Sequence, residues 1–164
     1  VTHLEMTAEP RLPPCPRPVG KYALMRAENP PVHFYRYLYD AVGRDYVWVN
    51  RKRLSDDTLA GIVQHEDVEI YVLYCGGVPA GYFELDFRSM PRVELSFLGI
   101  MPEHIGSGLG SFLLREAIQT GWTRNPNRLI VQTGTLDHRR DLPLYQRMGF
   151  CPFAQEEAEL EEID

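Results

Sequence analysis

Five residues, Gly106-Ser107-Gly108-Leu109-Gly110, carry the plainest chemical signal in the chain. Before them runs Val93-Glu94-Leu95-Ser96-Phe97-Leu98-Gly99-Ile100, a β-type run that Met101-Pro102 interrupts. After them, Ser111 to Ile118 has the spacing of an amphipathic helix. Strand, glycine loop and helix in that order aim bare backbone N–H groups and the positive end of a helix dipole at one place. A β-carbon at those positions would hold phosphate oxygens away, and glycine removes it. The loop therefore predicts a phosphate-bearing ligand.

The elements that must position this loop follow from the rest of the chain. At 164 residues it reads as one domain with room for a real core. Hydrophobic content of 44% and charged content of 24% are ordinary for a globular protein. The longest apolar runs are strand-length, so neither a membrane span nor a signal-peptide core is expected. Residues 1–18 hold Pro10, Pro13, Pro14, Pro16 and Pro18 and are expected to wrap the surface without joining a ladder. Residues 19–155 form the expected domain, and 156–164 an acidic, solvated tail. The net charge of −6, concentrated in that tail, disfavours a nucleic-acid partner. Cys15, Cys75 and Cys151 are far apart, which argues against a metal or disulfide framework and fits a reducing cytoplasm.

Lys21–Arg26 reads as a short strand, and Asn29-Pro30-Pro31 as the start of a helix over Val32–Val42. Ser55 caps a second helix over Thr58–Gln64. Glu69–Cys75 and Val78–Phe87 form a hairpin about Gly76-Gly77, followed by a strand at Val93–Ile100. Leu109–Thr123 is a helix, Arg128–Thr135 a buried strand parallel to Val93–Ile100, Asp141–Met148 a short helix, and Phe150–Phe153 opens a last strand. The result is a mixed α/β sheet with helices on both faces.

Two motifs resemble the GNAT superfamily of N-acetyltransferases. Ile100 to Leu114 is similar to the strand–loop–helix with which that family holds the pyrophosphate of coenzyme A. Leu136-Asp137-His138 through Leu144-Tyr145-Gln146-Arg147-Met148-Gly149-Phe150 is similar to its closing helix, with its tyrosine and the Gly-Phe after it. The resemblance covers roughly residues 20–153. It implies a central sheet of about six to seven strands, with antiparallel hairpins and one splayed parallel pair. Ile105 stands where the family's loop usually opens with Arg or Gln, so support of the phosphates passes to backbone groups or to His104. His138 and Asp141 stand where Asn and Ala are common.

The resemblance further implies transfer of an acetyl group from acetyl-CoA, as co-substrate and without a metal, to a primary amine by direct attack in a ternary complex. Small-molecule and protein amines both remain open as acceptors, and so does a homodimer, since members often dimerise. Ile105, Gly106, Ser107, Gly108, Leu109, Gly110 and Ser111 would hold the diphosphate, with His138 a further contact. Backbone N–H groups of Leu98, Gly99 and Ile100 would face the thioester, where the developing oxyanion needs donors. Glu94 is the candidate general base and Tyr145 the candidate acid for the departing thiolate. Tyr35, Trp48 and Glu84 are the candidate acceptor contacts.

Other classes fit less well. A dinucleotide-binding oxidoreductase would need an acid at the end of the following strand, where Thr135 stands. Ser107 lacks the G-x-S-x-G elbow of a serine hydrolase. A non-catalytic acyl-CoA-binding regulatory module of the same fold is the alternative that Ile105, His138 and Asp141 favour.

Overall fold

The structure, a computed structural model, describes residues 1–12, 15–43, 50–133 and 141–155. Its strands are β1 (Thr2–Met6), β2 (Tyr22–Arg26), β3 (Val68–Cys75), β4 (Val78–Asp86), β5 (Arg92–Ile100), β6 (Arg128–Thr133) and β7 (Cys151–Gln155). Its helices are α1 (Val32–Gly43), α2 (Asp56–Val63), α3 (Leu109–Gly121) and α4 (Asp141–Arg147), with single 3-10 turns at Pro102–His104 and Trp122–Arg124. The seven strands form one sheet in the order β2-β3-β4-β5-β6-β1-β7. None of the described helices is long and apolar enough to cross a membrane.

Local chemistry fixes most boundaries. The Pro31 carbonyl accepts the first amide bonds of α1, from Phe34 and Tyr35. The Ser55 hydroxyl accepts from the Thr58 amide at 3.2 Å, and Asp56 and Asp57 suit the dipole of the first turn of α2. Gly76 and Gly77, with φ of 59° and 85°, provide the left-handed pair that a two-residue hairpin turn requires.

Alternation along the strands sends apolar side chains to both faces. Ile70, Val72 and Tyr82 pack with Tyr35, Leu38, Tyr39 and Val42 of α1 and Leu59 and Val63 of α2. Leu73, Phe83, Leu85 and Leu95 pack on the other face with Leu109, Leu113, Leu114, Ala117 and Ile118 of α3. The parallel ladder of β5 and β6 runs only from Arg92↔Arg128 to Leu95↔Val131. Beyond Leu95 the two strands part, as expected.

Two expectations need correction. Simple alternation along β5 puts Ser96, Leu98 and Ile100 opposite Leu95 and Phe97. The register against β4 instead jumps from Leu85↔Leu95 to Glu84↔Phe97, so Ser96 is the extra residue of a β-bulge. Leu98 and Ile100 therefore join Leu95 on the α3 face, and Phe97 packs with the α1 cluster. The second correction concerns residues 1–18, where no ladder is expected. Thr2–Met6 lies inside the sheet, antiparallel to both β6 and β7. The prolines begin only at Pro10, whereas Leu4 and Met6 alternate as a strand should and are buried. The acidic tail at 156–164 lies outside the described residues.

Candidate active site

The glycine loop follows the free end of β5 through the Pro102–His104 turn. Gly106 and Gly108 have φ of 88° and 81°, a region that a side chain strains. Gly108 is the N-cap of α3 and brings no side-chain cap, so the helix's first amides lack the acceptor that Ser or Asp would supply. Leu109 is buried and roots the loop in the core, while Ile105 is 41% exposed. The Ser107 hydroxyl donates to the His104 carbonyl and braces the turn. Ser111 is half-buried in the first turn of α3.

Gly110 is the informative position. It is helical, so its backbone makes no demand for glycine, and a β-carbon there would meet nothing within 4 Å. Glycine weakens a helix by about 1 kcal/mol relative to alanine, so the protein's own packing gives no reason for it. Space kept open beside uncapped amides is what a diphosphate needs, and the loop fits the coenzyme A that the resemblance implies.

Leu98, Gly99 and Ile100 are half-buried on the stretch of β5 that β6 leaves unpaired. A tight approach occurs across the strand, where a β-carbon on Gly81 would stand 2.7 Å from the Gly99 carbonyl. Glu94 lies just before the splay, opposite Asp86 on β4 and beside Ile130 on β6. Burial, reinforced by repulsion from Asp86 and Glu84 against the pull of Arg92 and Arg51, raises its pKa above the ordinary carboxylate value. Burial also acts upward on Asp86, but hydrogen bonds from Arg88 at 2.9 and 3.0 Å outweigh it and hold that carboxyl low. Of the two facing acids, Glu94 is the one that holds its proton more tightly.

Glu84 and Tyr35 occupy a different place from open acceptor contacts. Glu84 is fully buried under α1, its Oε1 accepting from the Tyr35 hydroxyl at 2.6 Å and its Oε2 from Arg51 Nη2 at 2.9 Å. Burial lifts the Glu84 pKa, opposed by Arg51 and Tyr35. Arg51 is the residue the sequence did not single out. Burial acts to lower its pKa, and the Glu84 carboxylate together with the Tyr35 and Tyr82 hydroxyls outweighs it. Tyr145 is buried on the α3 side of the sheet, edge-on to Phe150 at 5.8 Å. Glu94 and Tyr145 thus belong to different faces of the sheet. Trp48 and His138 lie outside the described residues.

A mixed sheet parted at one parallel pair, with an uncapped glycine-opened helix directly after the parted strand, defines the class: an acyltransferase. The sequence from 26 to 150 matches the acetyltransferase (GNAT) family, and the chain belongs to it. No curated protein matches the sequence significantly. Among solved structures it is similar to an IAA acetyltransferase from Bacillus cereus, at 24% identity and a TM-score of 0.62 over 82% of this chain and 79% of the other. It is also similar to the ribosomal-protein-S18-alanine N-acetyltransferase from Escherichia coli, at 17% identity and 0.62 over 79% and 77%. A third is an aminoglycoside N-acetyltransferase in complex with CoA, at 17% identity and 0.59 over 92% and 98%. At these identities the likeness extends to the fold, and acetyl transfer follows from membership of the family.

Proposed function

We propose that the protein is an N-acetyltransferase that moves the acetyl group of acetyl-CoA to a primary amine by direct attack in a ternary complex. The observation that carries this reading is the cradle at Gly106–Gly110, an uncapped helix start with a helical glycine that no internal contact requires, set at the parted end of β5.

Each residue then has a task. The amides of Gly108 to Ser111 bind the diphosphate, and the α3 dipole favours its charge. Acetyl-CoA supplies the thioester carbonyl. Unpaired backbone N–H groups along Leu98 to Ile100 donate to its oxygen as negative charge builds. Glu94 takes the proton that the ammonium must lose before its nitrogen attacks, directly or through a water. As the new C–N bond forms and the C–S bond breaks, Tyr145 donates its phenolic proton to the leaving sulfur.

Incubation of the purified protein with acetyl-CoA and a panel of small amines and peptides, with released thiol as the readout, tests the reading. Acceptor-dependent thiol release is expected. Calorimetric binding of acetyl-CoA with no thiol release for any acceptor would replace the enzyme by a regulatory acyl-CoA-binding module.

A further inference from the structure

Arg51 has surroundings unlike those of a bracing arginine. Its guanidinium carbon lies 5.1 Å from the centroid of Phe97 and 5.9 Å from that of Tyr35. Tyr39 stands edge-on to Phe97 at 5.2 Å, and Tyr82 edge-on to Tyr35 at 6.2 Å. At the base of this aromatic wall the buried Glu84 carboxylate accepts from Nη2 at 2.9 Å. Aromatic rings around a carboxylate form the chemistry that recognises an organic cation.

Arg51 fills this box without satisfying it. Among the described residues its Nη1 is buried without a hydrogen-bond partner, which destabilises the arrangement that leaves it so. The backbone of Arg51 is held independently of its side chain. Its amide donates to the Tyr39 hydroxyl at 3.2 Å, and its carbonyl accepts from Arg36 Nη1 at 3.4 Å. Neither of these two bonds involves the Arg51 guanidinium.

We propose that this box is a binding site for a second cationic group of the acceptor, and that the Arg51 side chain is an internal plug which that group displaces. The exchange replaces one cation on Glu84 by another, so the buried carboxylate never stands unpaired. Phe97, one wall of the box, directly precedes Leu98 on the parted stretch of β5. An acceptor anchored at Glu84 by one cation can therefore offer a second amine toward Glu94 and the splay. The acceptor class is a diamine or polyamine-like molecule. Assigning the other amine as the reacting group rests on the acetyl transfer proposed above.

The test uses the full chain with Arg51→Ala and ethylguanidinium at millimolar concentration as the probe. Ethylguanidinium should raise the Tm of the variant saturably, raise that of the parent less at the same concentration, and lose its effect in Arg51→Ala/Glu84→Gln. In the thiol-release assay, the KM for 1,4-diaminobutane should fall about tenfold in Arg51→Ala, because the plug no longer withholds the competent state, and that for butylamine should change by clearly less. If Arg51→Ala does not fold, Arg51→Gln takes its place, with the same fall in KM for the diamine expected. A vacated box that ignores ethylguanidinium, a response that survives loss of Glu84, or a diamine KM that stays level or rises would each overturn the plug. Thiol release by neither parent nor variant, with the Tm response intact, would instead strike the acetyl-transfer reading and leave the box standing.

Discussion

Glu94 shows how burial can be used at the scale of one residue. As the proposed base, Glu94 works only when ionised, so kcat/KM should rise with pH through its pKa. Burial and the neighbouring acids move that limb above the ordinary glutamate value of about 4.3. Glu94→Gln should lower kcat/KM by about 10²-fold or more and flatten the limb. The same shift has a consequence for stability. Because the folded state holds the Glu94 proton more tightly than the unfolded one, ionisation destabilises the fold as pH rises from the unfolded value through the raised folded value. The Tm difference between Glu94→Gln and the parent should therefore grow in the variant's favour across that interval and then level off. A difference independent of pH would remove the burial argument. Tyr145→Phe keeps the buried ring and should cost at least about tenfold in kcat if its hydroxyl protonates the sulfur. An unchanged kcat retires that role. Glu94 and Tyr145 could be chosen from the sequence because each lies beside a recognisable motif. Arg51 could not, since its partner Glu84 is 33 residues away and no local pattern announces the pair.

Among the elements, α3 separates what glycine does for the protein from what it does for a ligand. At Gly108 a φ of 81° makes alanine costly to the fold itself. At Gly110 the backbone is helical and the added methyl meets only open space. Gly110→Ala should therefore leave the protein as stable as before, or more so by up to about 1 kcal/mol, because alanine is the better helix former. Its affinity for acetyl-CoA should nevertheless fall. Thermal melts with and without acetyl-CoA check both halves, and an undiminished acetyl-CoA shift would dismiss the cradle. The glycine spacing and the helix after it were legible in the sequence because both are local. The bulge at Ser96 was not, since every residue of that run suits a strand and only the pairing with β4 reveals the extra residue. That single insertion turns Phe97 toward α1, where it becomes a wall of the cation box, and turns Leu98 and Ile100 into the α3 core.

At the scale of the whole molecule, the first strand is where reading the sequence and seeing the fold diverge most. Proline density downstream hid β1, and its partners, Leu129 to Thr133 and Cys151 to Gln155, lie at the far end of the chain. Only global closure makes five residues in isolation into a strand paired on both sides. Among the described residues β7 has its ladder with β1 alone, so β1 links the last strand to the rest of the sheet. Leu4 is fully buried in the cluster that also holds Tyr145 and Phe150, and Met6 accepts a hydrogen bond from the Trp122 indole at 3.2 Å. Leu4→Ala should therefore cost about 2–5 kcal/mol, the usual range for emptying a core leucine site. Removal of residues 1–6 should act unevenly, because β3 and β4 keep their long antiparallel ladder while β7 loses its partner. Hydrogen exchange on the truncated protein should then show fast amides in β7 with β3 and β4 still protected, and thiol release should drop because Tyr145 packs on Phe150, the residue that leads into β7. Uniform protection with unaltered turnover would mean that β1 decorates the sheet and does not close it.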